Sequence, residues 1–320
     1  MGVTRDLSKN LAVDNRRGIL LGLLAAAMFA AAAAMAKISV ETYHVLQILF
    51  FRQLVVLASA LPTIFKTLPD SLKTDHVGGH AIRLSGAFVA LSCSIWAVAV
   101  LPLTTATTLA FAQVFFVALM ATVFLNEQVG THRVAAIAAG FIGVVIVMRP
   151  GFGGLFNMYA LIPLAGALGA AIAKISVRRL SQVDSTATLL IYQALFVGAL
   201  AGIPMFWLWT TPDLPGLIML LAMGVLATVG QWTGVKALQV GEASVIGNID
   251  YSALIYAAIL GFVLFNEIPD IYTIIGAAII VSSSIYIFRR ETIAKRRAAS
   301  GGEGGGGGDE GDDRGDIRNP

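Results

Sequence analysis

An apolar run about twenty residues long recurs ten times in this chain, and nothing else constrains its fold so strongly. The runs lie at 18–37, 43–62, 82–100, 103–125, 131–149, 157–176, 186–207, 215–236, 243–265 and 271–288. A helix needs roughly 20 apolar residues to cross about 30 Å of hydrocarbon. Hydrocarbon offers no partner to an open backbone, so only helices or a closed barrel can span it. The runs are rich in Ala and Leu and lack the ~10-residue in/out alternation of a barrel strand. Composition agrees: 57% of the 320 residues are apolar and 13% charged, with mean hydropathy +0.80. A soluble domain carries about 25% charged residues. The expected fold is therefore an all-α polytopic membrane protein with ten transmembrane helices.

Charge orients the chain. The net charge is +3, but the basic residues form no compact patch, which argues against nucleic acid as a partner. They fall in short runs between apolar segments instead. With both termini in the cytoplasm, the inner side receives Arg5, Lys9, Arg16, Arg17, Lys66, Lys73, Arg83, Arg133, Arg178, Arg179, Lys236 and the basic residues from Arg289 onward. The outer side keeps Lys37 and Arg149 near its edge. That asymmetry is the positive-inside pattern, and an odd number of spans would destroy it. A bacterial inner-membrane location with both ends inside follows as the expectation. Residues 1–17 read as a cytoplasmic tail and not as a cleaved signal, because the apolar run after them is long and lacks a clear small-residue cleavage site. Residues 291–320 read as a cytoplasmic tail that ends in a Gly/Asp-rich stretch too polar to order. The single Cys93 lies in an apolar run, and no disulfide framework is possible.

The chain echoes itself. Ala36-Lys37-Ile38-Ser39-Val40 closes the first run and Ala173-Lys174-Ile175-Ser176-Val177 closes the sixth. Phe124-Leu125-Asn126-Glu127 closes the fourth, and Leu264-Phe265-Asn266-Glu267 closes the ninth. The offsets are 174−37 = 137 and 267−127 = 140, so one short adjustment aligns the halves. Each half, 18–150 and 155–290, holds five spans. Five is odd, so the second half enters the membrane inverted. Inverted repeats permit two near-mirror states around a midplane site, which is the geometry of alternating access.

These residues carry a resemblance. The segments LAFAQVFFVALMATVFLNE and AAIAAGFIGVVIVMRP of the first half resemble the EamA family of the drug/metabolite transporter superfamily. So do NIDYSALIYAAILGFVLFNE and IIGAAIIVSSSIYIF of the second. The resemblance covers about residues 18–290 and implies two five-helix repeats and transport of a small molecule. Its substrate range includes amino acids, nucleotide-like metabolites, vitamins such as riboflavin, S-adenosylmethionine and drug-like cations. Related sequences often carry Pro midway along the fourth and ninth helices, where Gln113 and the Asp250–Ala253 stretch stand here. A helix break is therefore not carried over by the resemblance.

Few polar groups lie deep in the runs, and those that do are candidates for substrate contact. Asp250, with Asn248 and Tyr251 beside it, sits a third of the way into the ninth run. Its carboxylate can take a cationic group or a coupled proton, or can pair with a neighbouring helix for packing. Arg52, midway along the second run, can bind an anionic substrate or neutralise an internal acid such as Asp250. Gln113, Gln193, Tyr192, Gln231 and Trp232 are uncharged hydrogen-bonding groups, and Trp96 can join Trp232 as an aromatic wall. Each can instead bond helix to helix. The resemblance favours Gln113 and Trp232, whose helices line the cavity in similar proteins. Glu127 and Glu267 sit where a carboxylate satisfies the free N–H groups of a helix start, and their equivalent places suit a gate as well. Lys37 and Lys174 occupy span edges and can snorkel to headgroups. Gly198 and Gly202 suit close helix packing. His44, His76, His80 and His132 are scattered without ligand spacing, so neither a metal nor another cofactor is expected.

No HExxH, GxSxG or Walker A pattern occurs, so ATP does not drive this chain directly and no enzyme motif stands out. A membrane-embedded enzyme would want convergent acids or a nucleophile–base set. A channel would more often be an oligomer with a charged ring or a filter sequence. The reading is a secondary transporter of a small organic metabolite by alternating access, whose partners are substrate, a coupled proton and the bilayer.

Overall fold

The computed structural model describes residues 14–67, 76–125, 131–148, 158–180, 186–241 and 243–302. Its elements are α1 (Asn15–Ser39), α2 (Val45–Thr67), α3 (Val77–Val100), α4 (Leu103–Ala110), α5 (Gln113–Leu125) and α6 (Thr131–Met148). After a 3-10 turn at Met158–Ala160 come α7 (Leu161–Leu180), α8 (Thr186–Gly202) and α9 (Met205–Leu208). The chain continues with α10 (Leu214–Val240), α11 (Ala243–Ile249), α12 (Ser252–Phe265) and α13 (Ile271–Gly302). All regular structure among the described residues is helical.

Among the described residues six stretches are long and apolar enough to cross a membrane: Asn15–Ser39, Val45–Pro62, Val77–Val100, Leu103–Ala121, Met158–Val177 and Leu214–Val240. Four shorter apolar helices accompany them, at Val134–Met148, Ile191–Gly202, Ser252–Phe265 and Ile271–Ile287. Their outward faces carry exposed Leu20, Ile142, Ile255, Val263 and Ile275. Exposed apolar surface on this scale is costly in water and favourable in lipid.

Helix ends follow local chemistry. Asp14 caps α1 by accepting from the Arg17 amide at 3.1 Å, and Asp213 caps α10 by accepting from the Gly216 amide at 2.9 Å. Pro102 lies in the turn between α3 and α4, where the sequence places a tight connection. The seventh apolar run forms α8, which stops at Gly202, short of the expected 207, because Ile203-Pro204 turns the chain into the separate short helix α9. At the far end α13 runs through Gly302, beyond residue 291, where an unordered tail was expected to begin. Its Ala, Lys and Arg residues are strong helix formers, and they extend the apolar helix that precedes them. Residues 1–13 and 303–320 lie outside the described residues.

Small residues let the helices approach closely. α1 packs on α10, α3 on α7, α6 on α13 and α2 on α8. A Cβ added at Gly86 of α3 would lie 2.7 Å from the Gly169 carbonyl oxygen of α7, which is backbone and cannot swing away. Gly198 and Gly202 face Gln53 and Phe50 of α2, as their spacing suggests. Gly86→Ala is accordingly expected to destabilise the folded protein by about 1–3 kcal/mol. The check is a lower thermal midpoint in detergent, and an unchanged midpoint contradicts this close approach.

Polar groups also tie helices together. Gln47 at the start of α2 is fully buried; its Nε2 donates to the Thr210 carbonyl at 2.6 Å and its Oε1 accepts from the Thr210 amide at 3.0 Å. Arg83, counted above as a cytoplasmic charge, is 2% exposed and lies inside the bundle. Its Nη2 donates to the Leu189 carbonyl at 2.6 Å and its Nη1 to Gln193 at 3.5 Å, which joins α3 to α8. A residue near a span end need not be in the headgroups, and Arg83 turns inward because α8 offers it a carbonyl.

Candidate functional site

Two polar-tipped clefts meet at the centre of the bundle. The larger, about 270 Å³, lies among α1, α3, α4 and α7 and reaches Gln113 and Ala253. The smaller, about 150 Å³, lies among α1, α2, α3 and α10 and holds Arg52. They share Phe29, Ala33, Leu91, Ser94 and Val98 as a common wall. The space exists because the walls are built largely from Ala, whose short side chains leave room between helices that touch elsewhere.

The helices that flank this space are interrupted. The run from 103 to 125 divides into α4 and α5 at Phe111-Ala112, and the run from 243 to 265 divides into α11 and α12 at Asp250-Tyr251. The absence of Pro carried no such expectation, so these breaks are a finding of the structure. At the first break the cause is polar and local. Thr107 and Thr108 donate their hydroxyls to the carbonyls of Leu103 and Thr104 at 2.7 and 2.8 Å. Such back-bonding loosens and bends a helix. The next amides, of Phe111, Ala112, Val114 and Phe115, then bond three residues back instead of four. The Ala253 and Leu254 amides do the same to Asp250 and Tyr251. The two breaks touch: the Phe111 and Tyr251 rings lie 5.0 Å apart.

One end of the bundle is sealed by charge. Lys37, at the end of α1, pairs with Glu267 at 2.7 Å, and both side chains are mostly buried. Lys37 also donates to the Leu101 carbonyl at 2.7 Å, while Glu267 accepts from the Leu103 amide at 2.8 Å. The ammonium lies 5.4 Å from the centre of the Phe265 ring. Glu267 gets there through the turn before it. Asn266 adopts φ 53°, a left-handed conformation that Asn tolerates, and the Glu267 amide bonds back to the Gly261 carbonyl at 2.9 Å. Glu267 thus satisfies a free N–H at the start of α4 and not of the next helix, α13, where Asp270 accepts from the Thr273 amide at 2.9 Å. Lys37, read there as able to snorkel to headgroups, turns inward to a carboxylate instead. Glu127 lies outside the described residues.

Of the candidate residues, Gln113 and Arg52 line the central space, and Asp250 and Tyr251 form the break beside Ala253. Asn248 stands two residues before that break with a sealed, unpartnered Oδ1. Arg52 does not pair with Asp250; the acid's electrostatic neighbour is Lys174. Trp96 and Trp232 are 50% and 56% exposed and line neither cleft; Gln231, partly exposed on α10, lines neither either. Tyr192 stacks near His80 at 4.9 Å, and Gln193 serves the α3–α8 junction. Sequence reasoning treated Lys37 and Glu267 separately and missed that they form one lock. The available signal was that both sit in the two echoed motifs. Among the described residues no group of three or more His, Cys, Asp or Glu could hold a metal.

The family model of the EamA-like transporter family matches this chain twice, over residues 16–149 and 157–289. The chain belongs to the EamA-like transporter family. This EamA-like chain is 30% identical over 228 residues to a riboflavin transporter of Vibrio cholerae, covering 70% of this chain and 75% of that one. It is 28% identical to an S-adenosylmethionine uptake transporter of Rickettsia bellii, over 78% of this chain and 85% of that one. A pseudopaline exporter of Pseudomonas aeruginosa is 28% identical over 86% of this chain and 96% of its own length. A crystal structure with 18% sequence identity shares the fold at a TM-score of 0.60, covering 88% of this chain and 98% of that one. These named relatives are transporters and not enzymes, so this EamA-like protein is a multi-pass membrane transporter of small molecules.

Proposed function

We propose that this chain is a secondary transporter that carries a small organic metabolite across a bacterial inner membrane by alternating access. In this reading ten crossings, with both termini cytoplasmic, form two five-helix halves of opposite orientation. The observation that carries it is the helix packing. Exchange α1 with α7, α2 with α8, α3 with α10, α4–α5 with α11–α12, and α6 with α13. The packing of α1 on α10 then becomes that of α7 on α3, and α2 on α10 becomes α8 on α3. Likewise α1 on α12 becomes α7 on α5, while α2–α8 and α6–α13 map onto themselves. A bundle that repeats its own contacts under exchange of halves is suited to two near-mirror states.

Several pairings break the rule, among them α1 on α3, α2 on α3 and α5 on α6, and one of them supports a state. α4 packs on α12 at the Lys37–Glu267 end, while among the described residues α5 and α11 make no comparable packing. Lys174, the counterpart of Lys37, makes no ion pair or hydrogen bond with a described residue. With the termini inside, the sealed end is the outer one and the loose end faces the cytoplasm. Asp250, at the break and near Lys174, is the acid placed to exchange a proton or a cationic group as the halves move. The relatives are named for riboflavin, S-adenosylmethionine and pseudopaline, which supports an organic metabolite as cargo.

Counterflow in proteoliposomes tests this function. Vesicles preloaded with an unlabelled substrate found by a metabolite screen are expected to take up the labelled compound several-fold faster than empty ones. A channel shows no such acceleration, and equal rates would sink the alternating-access reading.

A further inference from the structure

Among the described residues Arg52 is a cation without an ion-pair partner. It stands about a third of the way along α2, its Nε sealed from solvent with no hydrogen-bond partner, and its side chain forms part of the wall of the smaller cleft. Glu267 is held by Lys37 and Asp213 by the Gly216 amide and Tyr43, while the electrostatic neighbour of Asp250 is Lys174. Within the cleft Ser94 donates its hydroxyl to the Leu91 carbonyl at 2.9 Å, and the remaining walls are Ala, Ile, Leu, Val, Met and Phe side chains. An unpaired charge in a bilayer-spanning helix is costly, and it persists where something supplies the counter-charge.

We propose that Arg52 binds the carboxylate of the transported metabolite, so that the cargo class is an organic monocarboxylate whose body extends from Arg52 towards Gln113. The geometry that carries this is the shared wall. The 150 Å³ cleft at Arg52 adjoins the 270 Å³ cleft at Gln113 along the shared side chains of Phe29, Ala33 and Leu91. The first holds the charged end and the second a largely apolar body with one hydrogen bond at its far side. A guanidinium fork matches a carboxylate with two parallel N–H donors. One lone cation balances a single negative charge. A phosphate dianion would need a second cation, and no Lys or other Arg lines either cleft. This inference rests on the transporter reading for the word cargo, but the binding itself is measurable without flux.

The experiment is thermal unfolding of the full-length protein in detergent with matched acids and amides: benzoate and benzamide, phenylacetate and phenylacetamide, phenylalanine and phenylalaninamide. Phenyl phosphate is the dianionic control. At least one acid is expected to raise Tm by several degrees where its amide and phenyl phosphate do not. Arg52→Gln is expected to abolish that preference and Arg52→Lys to weaken it. Arg52→Met tests the premise separately: without ligand its Tm is expected to equal or exceed that of the wild type, because an unpaired cation has been removed. The proposal is overturned if no acid outperforms its amide, if phenyl phosphate does as well as the acids, if Arg52→Gln keeps the preference, or if Arg52→Met lowers Tm. Any of these leaves the counterflow result standing, and absent counterflow leaves the Tm result standing.

Discussion

Replacing Lys37 by Gln is expected to open the sealed end of the bundle. The pair with Glu267 is mostly buried, so its loss costs more than the ~0–1 kcal/mol of an exposed bridge and less than the ~3–5 kcal/mol of a fully buried one. A value of about 1–3 kcal/mol corresponds to a shift of roughly 5- to 100-fold between the two end states. The measurement is labelling of a Ser94→Cys reporter in the central cleft by a membrane-impermeant maleimide added outside, in a Cys93→Ser background. Lys37→Gln and Glu267→Gln should each raise the outside rate by about tenfold, consistent with a mid-range cost. Lys37→Arg should hold it near the starting value. The charge-swapped double variant should recover only part of the closure. A Glu at 37 cannot donate to the Leu101 carbonyl, and a Lys at 267 cannot accept from the Leu103 amide. Unchanged labelling in both single variants would mean that this pair is not a gate.

That lock shows where sequence reading stops. Hydropathy is a property of each segment alone, so the runs, the turn at Pro102 and the helical class were legible from it. Lys37 and Glu267 are separated by 230 positions (267−37), and no local pattern brings them together. Their presence in the AKISV and FNE echoes marked both as special without saying that they meet. The helix breaks were missed for a different reason. Attention to Pro overlooked the Thr-rich LTTATT stretch, whose hydroxyls compete for backbone carbonyls. Arg83 was misplaced because counting basic residues assumes that each one near a span end reaches the headgroups. A long side chain can equally turn inward when a neighbouring helix presents a carbonyl. The polar candidates divided along the same line. Gln113 and Gln193 are chemically identical, and only the packing sends one to the cavity and the other to the α3–α8 junction.

Asp250→Asn is expected to have the largest effect on transport itself. The residue sits at the break between α11 and α12, where its backbone carbonyl accepts from the Ala253 amide and its electrostatic neighbour is Lys174. Asn keeps the size and hydrogen-bonding capacity of the side chain but can neither ionise nor carry a proton. Insertion should not suffer, since an ionisable group in a span costs roughly 2.5–3.5 kcal/mol that the amide largely avoids. If the carboxylate couples proton movement to the rocking of the halves, uptake driven by an imposed pH gradient should fall at least tenfold, a loss of about 1.4 kcal/mol or more in coupling. Exchange of labelled for unlabelled substrate should survive, because exchange needs the site and the two states but no net proton. Collapsing the gradient with a protonophore should reduce the wild type to the level of the variant and leave the variant unchanged. Gradient-driven accumulation that persists at wild-type level in Asp250→Asn would remove the acid from the mechanism. The break would then be a hinge whose polar residues serve only to interrupt the helix.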